Sequence, residues 1–263
     1  MYRLILACLL LASVLPAAEP TVLRVVSYNI HLAGVGMDGR RDLARQAEVI
    51  RALRPDIVLL QEVDRGARRS DRVDAAKVIG DALGMRSHFA PAIPLQGGDY
   101  GNALLTRLEA AGEDRMVNLG GGAENRVALL VPLRIPTPSG PREILAGCVH
   151  LDFRSDAEME PNAVRLAALL GDEARPVVFG GDINFWPGTR TLAALEARLV
   201  RVTKQGPAAT FPADKPKGEI DHLFVHPAAA WRVRESRVVP EAVASDHRPI
   251  LAEIELLPVP AAK

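Results

Sequence analysis

The chain has 263 residues, Lys+Arg 32 against Asp+Glu 32, with 48% hydrophobic and 24% charged residues. These are ordinary values for one large globular domain with a substantial core. Zero formal charge leaves room for a local basic patch but excludes a bulk electrostatic pull toward nucleic acid or anionic membrane.

The chain opens with Arg3, then an unbroken apolar-to-small run from Leu4 to Leu15, then Pro16-Ala17-Ala18. That run falls short of the about 20 apolar residues that span a bilayer. It fits a secretory signal peptide removed near Ala18, with an uncleaved membrane anchor as the alternative; removal leaves residues 19–263 as a single domain, secreted or periplasmic, with no stable membrane anchor. Cys8 would leave with it, and Cys148 would then be the only thiol, unable to form an internal disulfide.

Leu23 to Ile30 reads as a buried strand. Asp42 to Leu53 spaces Leu43, Ala47, Ile50 and Leu53 as one helix face, closed by Pro55. Asp56 to Gln61 restarts a strand, and Val73 to Leu83 is a second helix ended by Gly84. Asn102 to Thr106, Val127 to Leu133 and Glu143 to His150 are strands, the last two a hairpin around a proline-containing loop. Ala157 to Leu170 and Arg190 to Ala197 are helical, with Pro176 to Gly180 a strand between them. Gly206 to Gly218 is a loop, and Ile220 to Val225, Trp231 to Val239 and Pro249 to Leu256 close the chain as strands. Hairpins mixed with crossover helices argue for an α+β or mixed α/β architecture.

Five motifs stand where strands would emerge into loops: Tyr28-Asn29-Ile30-His31, Gln61-Glu62-Val63-Asp64, Val149-His150-Leu151-Asp152, Gly181-Asp182-Ile183-Asn184 and Ser245-Asp246-His247-Arg248-Pro249. Strand ends are where α/β folds place ligand sites. Carboxylates, amides and two histidines without a cysteine cluster suit a hard cation and phosphate rather than zinc or iron. Glu62 is the best single metal ligand. Asp182 and Asn184, two apart, would share a side in extended chain, where a carboxylate can orient and deprotonate water while an amide donates to a phosphate oxygen; an Asx turn fits the same spacing. Arg65, Arg68, Arg69 and Arg72 follow Glu62 and are either a solvated face or an anion clamp, Arg65 and Arg69 being the candidates for substrate.

With Tyr100-Gly101-Asn102-Ala103-Leu104-Leu105-Thr106-Arg107 and Glu219-Ile220-Asp221-His222-Leu223, seven blocks in order resemble the endonuclease/exonuclease/phosphatase superfamily, the DNase-I-like metal-dependent phosphoesterases, from about Leu23 to about Leu256. The resemblance implies a four-layer αββα sandwich of two mixed sheets with helices outside. It implies Mg²⁺, with Mn²⁺ as the alternative, held by Glu62 with Asn29 in the metal shell or on phosphate. Asp246 would face the metal or the histidine network. It assigns Asp182 to the attacking water, Asn184 to the phosphoryl group, Asp221 to fixing His247, and His150 to the phosphate as a contact or proton donor. Some family nucleases hold the first histidine with an acidic residue; here Asn102 is the candidate, Asp99 less well placed, which weakens a cationic His150.

These motifs do not separate DNA, RNA, inositol phosphates and lipid head groups. Aromatic content of 4% and zero net charge weaken the nuclease reading. The expectation is a monomeric, exported, divalent-metal-dependent hydrolase of a small phosphodiester or phosphomonoester, lipid head groups included. A secreted nuclease is the alternative, and a non-catalytic metal- or phosphate-binding module is the alternative of another class.

Overall fold

The computed structural model describes residues 20–120 and 124–259; the segment 1–18 expected to be a signal peptide, with Cys8, lies outside them. Among the described residues thirteen strands form two sheets. The first contains β1 (Thr21–Asn29), β2 (Ile57–Arg65), β3 (Arg86–Leu95), β4 (Gly98–Thr106), β12 (Trp231–Val238) and β13 (Ile250–Leu256), in the order β12-β13-β1-β2-β4-β3. The second runs β10-β11-β9-β8-β7-β5, from β5 (Glu109–Ala110), β7 (Arg126–Ile135), β8 (Arg142–His150), β9 (Val177–Asp182), β10 (Val200–Arg201) and β11 (Asp221–His226), with β6 (Arg115–Gly120) paired to β7. Each sheet is mixed: β1 and β2 are parallel, as are β8 and β9, and antiparallel strands flank both pairs.

Three apolar clusters make the layers. Leu23, Val25, Ile57, Leu59 and Leu104 of the first sheet pack on Leu129, Val131, Ala146, Cys148, Val178 and Leu223 of the second. The outer face of the first sheet, with Val26, Tyr28, Val58 and Leu60, is covered by α2 (Leu43–Ala52) and α3 (Ala75–Leu83). Leu145, Val149, Val177, Phe179 and Phe224 of the second sheet are covered by α4 (Asp156–Gly171) and α5 (Arg190–Glu196). The result is the expected αββα sandwich. Caps set the helix starts: the carboxylates of Asp42 and Asp74 accept from the backbone N–H groups of Arg45 and Lys77, and Gly84 ends α3 at φ +64°.

The alternation of side chains along a strand decides which motif residues meet. Leu23 and Val25 point between the sheets, so Asn29, in step with them, does too. The same count from Ala146 and Cys148 turns His150 inward, from Val178 turns Asp182 inward, and from Leu223 and Val225 turns Asp221 inward. The C-terminal ends of two parallel pairs and the N-terminal ends of their antiparallel neighbours therefore converge at one end of the sandwich.

Gly181 makes that convergence possible. Its φ is +146°, and a Cβ there would lie 1.9 Å from the Val149 carbonyl oxygen and 3.1 Å from Gln61 Nε2. Gly181→Ala is expected to cost about 2 kcal/mol or more, read as a fall of roughly 5 °C in thermal midpoint.

β3, β5, β6 and β10 were not among the expected strands. β3 is an edge strand carrying Pro91 and Pro94, residues that argue against a strand in sequence but are tolerated where one side needs no ladder partner. The strand expected to stop at Gln61 instead continues to Arg65 through a register shift between Leu60 and Val63.

Candidate active site

That register shift has a chemical consequence. Ile57, Leu59 and Gln61 point between the sheets, so alternation alone would turn Glu62 outward, toward the helices. Glu62 instead takes φ +59°, and the bulge re-aims its carboxylate. Glu62 Oε1 accepts from Asn29 Nδ2 at 3.2 Å and Oε2 from the Leu32 backbone N–H at 2.9 Å. Leu32 belongs to α1 (His31–Gly34), a left-handed turn with positive φ at His31, Leu32 and Ala33. Asn184, at φ +62°, is strained in the same way. Non-glycine residues held left-handed cost energy, and His31, Glu62 and Asn184 of the motifs are among them.

A cleft of about 410 Å³ opens at this end, lined by Glu62, Tyr100, Arg126, His150, Asp182, Asn184, Asp246 and His247, with Leu32, Glu124, Phe153, Phe211 and Ile220 around them. Asn29 lies buried beneath it and ties the sheets together. Its Nδ2 donates both to Glu62 and to Asp182 Oδ2 at 3.0 Å, while its Oδ1 accepts from the His31 backbone N–H. In this geometry Asn29 spaces and orients two carboxylates, and its oxygen is not offered as a metal ligand.

Asp182 is the hub. His150 Nε2 lies 3.5 Å and His247 Nε2 3.6 Å from its Oδ2, and its Oδ1 accepts from the Asn184 backbone N–H at 3.0 Å. The Asx turn is therefore present, and Asn184 reaches the cleft through that turn rather than by extended alternation. The Asn184 side chain donates to the Leu151 carbonyl at 2.9 Å. Burial pushes the Asp182 carboxyl up, against the pull of His247 and with added repulsion from Asp221, to about 7. A carboxylate at that level can accept a proton near neutrality.

His247 donates through Nδ1 to Asp221 Oδ2 at 2.9 Å, and Thr210 Oγ1 donates to the same oxygen. Burial alone would lower the His247 pKa, but Asp221 and Asp182 outweigh it and raise it to about 10. Burial would likewise raise Asp221, yet His247 and Thr210 hold it below the usual carboxylate range. His247 is thus a fixed imidazolium aimed at Asp182, with Phe211 packed 4.9 Å from its ring.

His150 differs from expectation. Burial, then Arg126, then His247 push its pKa well below the ordinary value, so the ring is neutral. Neither Asn102 nor Asp99 partners it: Asn102 is buried and donates to the Val127 carbonyl at 2.9 Å, and Asp99 pairs with Arg65 at 2.9 Å. Arg126 Nη1 instead stands 3.4 Å from His150 Nδ1. A guanidinium cannot accept a proton, so Nδ1 faces it as acceptor and Nε2 carries the hydrogen toward the cleft. The expected anion clamp is also absent from the lining. Arg65 stacks on Phe89 and pairs with Asp99, while Arg69 makes a two-pronged bond to buried Asp64. Arg126, at the start of an apolar strand, was not singled out from sequence, nor were Tyr100, Phe153 and Phe211; a charged residue abutting the run Val127 to Leu133 was the one available signal.

Two groups could hold a hard cation. Asp182, Asp221 and His247 bring ligand-type atoms within 4.8 Å of one another, but His247 already donates to Asp221, which occupies that trio as an ion pair. Glu62 and Asp246 fit better. Among the described residues Glu62 makes no ion pair, and the nearest to Asp246 is His31 Nε2 at 3.8 Å. Burial raises the Asp246 pKa and Glu62 adds to it. Two carboxylates at the edge of a polar cleft, neither in a close ion pair among the described residues, suit Mg²⁺ or a similar hard ion.

A profile described as the Endonuclease/Exonuclease/phosphatase family matches residues 26–247. The Escherichia coli K12 protein named uncharacterized protein YbhP is 28% identical over 249 residues, covering 89% of this chain and 96% of its own. The structure is similar to the human Nocturnin catalytic domain with bound sulfate, at TM-score 0.71 and 20% identity over 92% of this chain and 97% of that one. It is also similar to a Bacteroides thetaiotaomicron mannosyl-6-phosphatase, at TM-score 0.70 and 18% identity over 88% of this chain and 99% of that one.

Proposed function

The chain belongs to the endonuclease/exonuclease/phosphatase family, whose members hydrolyse phosphoesters, and from that premise we propose that it is an exported divalent-metal-dependent hydrolase of a small phosphodiester or phosphomonoester. The observation that carries this reading is the cross-sheet junction, in which Asn29 joins Glu62 of one sheet to Asp182 of the other beside the His247–Asp221 pair.

Glu62 and Asp246 would hold the cation, Mg²⁺ with Mn²⁺ as alternative, which when bound supplies positive charge to the phosphoryl oxygens. Asp182 takes the proton of the attacking water, its basicity raised by burial and its orientation fixed by Asn29 and the Asn184 N–H. His247 faces the growing negative charge of the transferred phosphoryl group as a held imidazolium. His150 presents Nε2–H as a neutral hydrogen-bond donor to a phosphoryl oxygen, a role in place of general acid. Asn184 offers its remaining amide hydrogen to the same group.

The cleft favours a small ester over a polymer. Among the described residues Arg126 is the only Arg or Lys lining it, whereas gripping a nucleic-acid backbone takes several cations. A panel of bis-p-nitrophenyl phosphate, sphingomyelin, inositol phosphates and plasmid DNA tests the substrate class. Turnover is expected to vanish with EDTA and to return with Mg²⁺ or Mn²⁺; full activity in exhaustively chelated buffer would sink the mechanism.

Export rests on the sequence of residues 1–18; among the described residues no helix is long and apolar enough to cross a membrane. Intact-mass analysis of natively expressed protein is expected to find a chain starting near Glu19 in an exported fraction. Retention of residues 1–18 in the cytoplasm overturns it.

A further inference from the structure

Seven of the ten Phe, Trp and Tyr side chains among the described residues are buried or half-buried. The exceptions are Phe153, 67% exposed, Trp186, 60% exposed, and Phe211, 37% exposed. Each lies on a connection at the catalytic end of the sandwich: Phe153 follows β8, Trp186 follows β9 and Phe211 precedes β11. Two aliphatic residues share that end. Met37 and Val243, both exposed, sit on the connections after α1 and before β13 and are joined by the Met37 N–H bond to the Val243 carbonyl at 2.8 Å. Five separate loops that lead to or from motif residues thus each expose one large apolar side chain.

Only Phe153 and Phe211 line the cleft; Met37, Trp186 and Val243 lie outside its lining. A small substrate could use the first two, but its organic part would leave the other three in water. An apolar rim spread over five loops matches an extended apolar surface instead. Some charges of these loops are paired, Asp38 with Arg45 and Asp152 with Arg154, while Arg40, Lys215 and Lys217 are exposed and in no ion pair among the described residues. The loop after β2 adds Arg68 and Arg72, exposed and in no ion pair among the described residues, which suit phosphates at a lipid–water interface. Tryptophan and phenylalanine flanked by arginine and lysine are the side chains that settle at such an interface. Stacking of single-stranded nucleic acid would use the aromatic residues but gives Met37 and Val243 no role.

We propose that the mouth of the cleft rests on a lipid surface, so that its phosphoester is the head group of a lipid presented there. This rests on the phosphoesterase reading above and deepens it.

The test uses the full mature chain, sucrose-loaded vesicles of phosphatidylcholine with and without anionic lipid, and tryptophan emission. Trp231 is buried, so a blue shift on adding vesicles reports Trp186. The chain is expected to sediment with phosphatidylcholine vesicles and to show that shift. The double variant Met37→Ser/Trp186→Ser is expected to bind at least tenfold more weakly, while hydrolysing soluble bis-p-nitrophenyl phosphate at the parent rate. No binding to either vesicle type overturns the proposal, as does a double variant that binds like the parent. Displacement from vesicles by a single-stranded oligonucleotide overturns it too. Metal-dependent hydrolysis of the soluble diester without vesicle binding defeats the surface proposal alone; vesicle binding with no hydrolysis of any phosphoester defeats the catalytic reading.

Discussion

Asp182→Asn is expected to lower turnover by roughly 10³-fold or more, the scale lost when an acid–base group is removed, with the fold intact. The amide keeps the shape of the carboxyl, so its bonds with Asn29 and the Asn184 N–H can be partly preserved, but it cannot take a proton from water. It also removes a buried carboxyl whose ionisation burial disfavours, so the thermal midpoint should hold or rise. Steady-state kinetics on a soluble diester, beside a melting curve, checks both halves. Activity within tenfold of the parent rules out the base assignment.

His247→Ala is the second large effect, again roughly 10³-fold, and should fall on kcat more than on KM because the imidazolium faces charge that grows in the transition state. A pH profile separates this from a structural role. The His247 charge pulls the Asp182 pKa down, so its loss raises that pKa. The base works only when deprotonated, so the acid limb of the surviving activity should move to higher pH. An unmoved limb with near-parental rates returns His247 to packing alone. The variant also leaves Asp221 buried without its main partner, a destabilising change that the melting curve will show.

The architecture was legible because both sheets and all four long helices carry strong apolar patterns, and because capping residues such as Asp42 and Gly84 sit where helices begin and end. Strand β3 was not, since Pro91 and Pro94 read as breakers until the edge position excuses them. The site was legible as residue types at strand ends and through the family resemblance: Glu62, His150, Asp182, Asp221 and His247 lie together around Asn29 and Asp182. Orientation was not. Glu62 faces the cleft only because one bulge reverses the alternation, and a bulge leaves no mark in a run of buried residues. Partner choice was equally hidden. Nothing in the order of residues says that Arg65 and Arg69 are already held by Asp99 and Asp64, or that Arg126, from the strand paired with that of His150, stands where an acidic partner for His150 was sought.

The junction that Asn29 bridges also makes this protein a gauge of its own core. Asn29 and Glu62 ride on one sheet, and His150, Asp182 and Asp221 on the other; the two sets are kept in register by interdigitated side chains such as Leu59 and Cys148. Trimming or enlarging one of those chains, far from any reacting atom, would alter the gap between the sheets and with it the spacing of Glu62 from Asp182. Rate is steep in such distances, where an ångström can matter a hundredfold. Unfolding free energy is spread over the whole sandwich and responds less sharply. Laboratory or natural variation in the central layer should therefore be filtered first by catalysis, and a chain can remain well folded after its interior has drifted out of tune.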